Sequence, residues 1–133
     1  MPHITLEYSA NLAGKTDIQA AVDAVHRAVL TSGLFEVGAV RVRAYESAAY
    51  AIADRNPDNG FVHLCLRMGA GRGVEDKRAA GEVIYRAMLE QFSELLAQPY
   101  FALSFEICEI DAELSWKTNA MHSRLRPSPS GKN

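Results

Sequence analysis

Cysteine is scarce in this chain. The two that occur, Cys65 and Cys108, share no CxxC spacing and sit in apolar runs. That excludes a disulfide framework and leaves the expectation of buried, reduced thiols in a cytoplasmic protein. The four histidines, His3, His26, His63 and His122, have no metal-ligand spacing, so no metal is expected. A net charge of −2 gives no excess of either sign, which argues against a nucleic-acid or membrane-surface partner. No apolar run approaches the roughly 20 residues of a membrane span. The start, Met1-Pro2-His3, lacks the basic and apolar regions of a signal peptide. No serine or cysteine triad is visible.

What remains is 133 residues with 48% hydrophobic and 23% charged composition. That suits one domain with a core of its own, here placed at 1–126. The Pro/Ser-rich 127–133 is expected to be a disordered tail.

Alternation of Ile4, Leu6 and Tyr8 with polar neighbours predicts a first strand. Thr16-Asp17-Ile18-Gln19 reads as a capping box with Thr16 as N-cap. Ile18, Ala21, Val22, Val25, Ala28 and Val29 predict a helix over 17–31, stopped by Gly33. A second strand is expected at 39–45, with Val40, Val42 and Ala44 on one face and Arg41, Arg43 and Tyr45 on the other. Residues 47–53 are a candidate extra strand, and Asn56-Pro57-Asp58-Asn59-Gly60 is a strong turn signal. Phe61 to Met68, apolar on nearly both faces, predicts a central strand. A glycine-rich loop, Gly69-Ala70-Gly71-Arg72-Gly73, leads to a helix near 75–96. Ala80, Val83, Ile84, Ala87, Met88 and Leu95 mark its buried face. A last strand is expected at 101–110, and 111–125 is weakly patterned.

This order is an internal repeat, about 2–45 against 61–110. Shifted by 60, His3, Leu6 and Ala10 meet His63, Leu66 and Ala70. Shifted by 59, Asp17, Ala20, Ala21, Arg27, Ala28 and Leu30 meet Asp76, Ala79, Ala80, Arg86, Ala87 and Leu89. Right-handed strand-helix-strand crossovers then require two parallel strand pairs and a four-stranded α+β sheet with both helices on one face. The uncovered face is expected to hold enough apolar surface to demand an oligomer.

Pro2 directly after the initiator, opening a strand, gives the chain a family likeness. With Pro2-His3-Ile4, Gly38 to Arg43, Phe61-Val62-His63, Gly69 to Arg72, Ala102 to Ile107 and Trp116-Lys117-Thr118-Asn119, it resembles the tautomerase superfamily. Within that superfamily it resembles the 5-carboxymethyl-2-hydroxymuconate isomerases, to about residue 125. The resemblance implies a duplicated β-α-β fold assembled as a homotrimer, an amino-terminal proline base, and no cofactor. It also implies a 1,3-allylic keto–enol isomerisation of a small unsaturated carboxylate in homoprotocatechuate catabolism. The family's substrate-binding arginines fall on Arg41 and Arg72.

The residues admit that chemistry. Loss of Met1 gives Pro2 a secondary amine, and an α-amine titrates near 7.7–8.0. Burial and nearby arginines lower that value toward the range a general base needs. With Met1 attached, the nitrogen of Pro2 is an amide and no base. Arg72, after flexible glycines, suits a two-bond grip on a carboxylate. Arg43 is expected in a structural ion pair, with Glu7, Glu106 or Glu109 as candidate partners. His3 adjoins the base, and Trp116 and Phe35 are candidate pocket walls. His63 reads as a satisfied core histidine, His26 and His122 as surface residues. Two alternatives stay open: a tautomerase of another 2-hydroxydienoate or arylpyruvate enol, and a non-catalytic trimeric ligand-binding relative.

Overall fold

A computed structural model describes residues 1–128; most of the expected tail, 129–133, lies outside the described residues. Four strands, β1 (His3–Ser9), β2 (Arg41–Ser47), β3 (Gly60–Gly69) and β4 (Phe101–Ile110), form one sheet in the order β2-β1-β3-β4. Helices α1 (Ile18–Thr31) and α2 (Val74–Gln91) connect the strands of each half. Pairs β1–β2 and β3–β4 are parallel and β1–β3 is antiparallel, so β3 is central, as its double-faced apolar pattern requires. The sheet's inner face, including Ile4, Leu6, Val62, Leu64, Leu66 and Met68, is fully buried against Ala21, Val25, Val29, Ile84 and Met88 of the helices. Among the described residues no helix is long and apolar enough to cross a membrane.

The β1–β3 ladder has an internal twofold. His3 pairs with Arg67 and Glu7 with His63. A shift of 60 carries the first pair onto the second. An antiparallel ladder between two such units sets the beginning of β1 beside the end of β3, and this brings Pro2 to the glycine-rich loop.

Several expectations need correction. Asp17, not Thr16, caps α1: its carboxylate accepts from the N–H of Ala20 at 3.0 Å, while Gln19 turns to Asp23 at 2.9 Å. A carboxylate suits the positive end of a helix better than a hydroxyl. Residues 47–53 add no strand beyond the end of β2. Ala53 and Arg55 take left-handed φ values of 52° and 67°, which breaks extension. The second helical segment is interrupted at Phe92, whose buried ring packs on Phe101 with centroids 5.7 Å apart. A short α3 (Ser93–Leu96) follows, and Val83 points outward.

The largest correction concerns the open sheet face. Register places Arg41, Arg43, His3, Thr5, Glu7, His63, Cys65, Arg67, Ser104, Glu106 and Cys108 on it. Tyr45, Phe61, Ala102 and Ile110 share this face, but most of it is polar and charged, so apolar surface is a smaller part of the argument for an oligomer than expected. His63 sits there rather than in the core, bonded to Ser104 at 2.6 Å and Glu106 at 2.8 Å. The two cysteines are half-buried, free, and 3.9 Å apart at sulfur.

Candidate active site

A cavity of about 480 Å³ opens where β1 begins and β3 ends. Pro2 is buried at its base under Met1, and Arg72, Phe35, Lys117, Asn119 and His122 stand around it. The loop that carries Arg72 turns at Gly71, whose φ of 114° is open to glycine and strained for other residues. Arg72 is held from the α1–β2 connection. One N–H donates to the Leu34 carbonyl at 3.0 Å, and the guanidinium lies 4.9 Å from the centre of the Phe35 ring. A guanidinium has five N–H donors, so most remain for a ligand.

The opposite wall comes from the segment that carried the weakest sequence pattern. Asn119 donates to the Gly38 carbonyl at 2.8 Å, and its side-chain oxygen accepts from the N–H of Met121, the first residue of α4 (Met121–Leu125), at 2.9 Å. The helix lies so close to Gly38 that a Cβ there would meet His122 Nδ1 at 3.0 Å. Arg126 closes the wall with two bonds to Glu36, at 2.6 and 2.9 Å. These bonds hold the Glu36 carboxyl below its ordinary range. His122 is therefore no surface residue. Its Nδ1 is buried without a hydrogen-bond partner, 3.7 Å from Glu36.

The electrostatics are one-sided. Burial, then Lys117, then Arg72 and Arg41 hold the α-amine of Met1 below its ordinary value. Burial, then Arg43 and Arg41, do the same to His3. No described carboxylate pairs with Arg41, Arg43, Arg67, Arg72 or Lys117. A cluster of like charges in a half-buried site calls for an anionic ligand.

The sequence-predicted residues are only partly gathered here. Pro2 and Arg72 share the cavity, one from each half of the repeat. Arg41 stands beside it, its guanidinium turned to the Ala39 carbonyl at 3.0 Å. Arg43 makes no ion pair: it bonds Tyr45 at 3.0 Å and His3 at 3.2 Å, Glu106 and Glu109 lie on β4 at the opposite edge of the sheet, and no described bond joins it to Glu7. Trp116, 86% exposed, and His3 line a neighbouring cavity instead. Lys117, Asn119 and His122 were not expected in the site. The run Trp116-Lys117-Thr118-Asn119 was the only signal for the first two, and His122 had none.

Comparison with known proteins agrees with this arrangement. The family model described as 5-carboxymethyl-2-hydroxymuconate isomerase matches residues 2–125. The chain is 32% identical over 126 residues to the 5-carboxymethyl-2-hydroxymuconate Delta-isomerase of Escherichia coli, covering 95% of this chain and all of that one. Its fold matches a crystal structure of a 5-carboxymethyl-2-hydroxymuconate isomerase from Deinococcus radiodurans R1, with a TM-score of 0.88, 38% identity and 95% of each chain covered. A second crystal structure, of a 5-carboxymethyl-2-hydroxymuconate delta-isomerase, gives the same TM-score at 33% identity over 96% of this chain and 95% of that one. A duplicated β-α-β sheet, a cationic cavity at the start of β1 and full-length likeness to these enzymes converge on one assignment: the chain belongs to the 5-carboxymethyl-2-hydroxymuconate isomerase family.

Proposed function

We propose that this protein isomerises 5-carboxymethyl-2-hydroxymuconate in the cytoplasm, in homoprotocatechuate catabolism, without a cofactor, using the amine of Pro2 after Met1 is removed. Neutral Pro2 takes the proton of the 2-hydroxyl. The electron pair shifts through the conjugated chain, a 2-oxo group forms, and the proton returns to carbon. Arg72, with Arg41 beside it, binds carboxylate and stabilises the dienolate charge that develops in between. The observation that carries this reading is the meeting of Pro2, Arg72 and Lys117 in one cavity, where burial and these cations already hold the adjoining Met1 amine below its ordinary value.

A homotrimer is part of the proposal. The open sheet face is charged yet only partly exposed, and Leu114 and Trp116 stand 72% and 86% exposed beyond β4. Both features suit burial against further copies.

The test pairs intact mass with an absorbance assay of dienol loss. Active protein lacking one methionine is the expected result. Fully active protein that retains Met1 would falsify the proline base.

A further inference from the structure

We propose that Lys117 is a specificity-determining residue that takes a second carboxylate of the substrate, the one on its carboxymethyl arm, in a lobe distinct from that of Arg72. The inference rests on the isomerase reading above and names the part of the substrate this residue selects.

The geometry begins with a second cavity of about 400 Å³, bordered by His3, Arg67, Ser115 and Trp116. It lies across Met1 from the first. Both cavities share Met1, Gly69, Ala70 and Lys117. Lys117 is the one cation in both walls. Met1 stands between them, so the trimming that frees the Pro2 amine also removes the partition and joins two lobes into one cleft.

The lobes differ in chemistry. The first offers Arg72 and the Phe35 ring. The second offers Lys117 and Arg67, neither paired with a described carboxylate, beside the apolar faces of Ile110 and Trp116. Two unanswered cations in a half-enclosed lobe favour an anion there. An ammonium on a flexible stem acts as a point charge that can follow a mobile arm, whereas the Arg72 fork suits a rigid, planar carboxylate. A substrate with one carboxylate on its conjugated chain and another on a flexible side arm would bridge the lobes and leave its reacting carbons near Pro2.

The test compares kcat/KM for 5-carboxymethyl-2-hydroxymuconate and for 2-hydroxymuconate, which lacks the arm. It is run on the alkaline plateau, where the amine is neutral in every variant. Lys117→Met should lose about ten- to hundredfold on the first substrate and less than about threefold on the second, the span expected for one charged hydrogen bond. Lys117→Arg should recover most of that loss. An equal loss on both substrates, or no loss on either, overturns the proposal.

A second readout needs no turnover: calorimetric binding of muconate and 2-carboxymethylmuconate, which have no hydroxyl to lose. Wild type should prefer the armed ligand by a similar factor, and Lys117→Met should not. A wild type inactive on both dienols would sink the isomerase reading, yet this binding pair would still decide the role of Lys117. Absence of the preference in wild type, or its survival in Lys117→Met, overturns it.

Discussion

At one end of the β1–β3 ladder, Pro2 and the 69–73 loop border an open, cationic cavity. At the other end, related by the 60-residue shift, Val62 and the turn at 9–12 are shut. Leu12 stands where the repeat places Arg72, and it is 2% exposed. It fills the space above Gly60, where an added Cβ would lie 2.7 Å from its Cδ2. Asn11 donates to the Asn59 carbonyl at 2.7 Å, and Ser9 accepts from Phe61 N–H at 3.0 Å. One scaffold thus yields a core plug or a site, depending on whether a leucine or an arginine tops the loop. An unpaired guanidinium is too costly to bury, so the Arg72 end stays open to solvent or an anion. Leucine has no such cost and closes its end.

The comparison breaks first at Pro2. Pro2→Ala should lower kcat by about 10²–10³-fold, within the range for loss of a positioned base, with an unchanged circular dichroism spectrum. Unchanged turnover would mean that the open end does no proton chemistry. Leu12→Ala tests the other end. It should cost about 2–4 kcal/mol in urea unfolding, the usual range for emptying a buried leucine site, and leave kcat alone. A fall in kcat at native stability would show that the shut end takes part in catalysis.

Much of this contrast was legible in the sequence. The element order, the parallel pairs and the central strand followed from period-two and helical patterns, because those patterns record which face is buried. Pro2 and Arg72 emerged from position and loop chemistry. The residues that resisted were those whose role depends on long-range docking. Asn119, His122 and Arg126 act through Gly38 and Glu36, some 80 to 90 positions away in the chain, and no local period encodes such a contact. The open sheet face was misjudged for a related reason. Its polar residues come one or two at a time from four strands, and only the register assembles them. Arg43 could not be read alone either, since two of its three expected carboxylates, Glu106 and Glu109, sit on β4 at the opposite edge of the sheet, and only the strand order shows it.

Arg72→Ala sharpens the contrast at smaller scale. Loss of one charged hydrogen-bond donor to a carboxylate should lower kcat/KM about ten- to hundredfold. Stability should change little, because the side chain faces a cavity and its one protein hydrogen bond is to the Leu34 carbonyl. Thermal unfolding alongside steady-state kinetics separates the two effects. Collapse of the fold would make Arg72 the structural counterpart of Leu12 rather than its functional opposite.

The smallest effect is a shift in pH dependence. Burial and neighbouring cations hold the Met1 amine below its ordinary value, and the Pro2 amine freed beside it should place the acid limb of kcat/KM below the roughly 7.7–8.0 of a free chain terminus. Each cation removed lets the amine keep its proton to higher pH, so the limb must move up, never down. Lys117, Arg72 and Arg41 all act on the amine of Met1, the residue next to Pro2, and Lys117→Met, Arg72→Ala and Arg41→Ala should each raise the limb. Stability carries the same sign. The unfolded chain binds the proton more readily, so this contribution is full above the unfolded value and is lost as pH falls through it toward the folded one. The shut end has no such group, and Leu12→Ala should leave the limb where it is. A downward shift in any of the three charge variants, or an upward one in Leu12→Ala, would mean that the titrating base lies somewhere other than the open end.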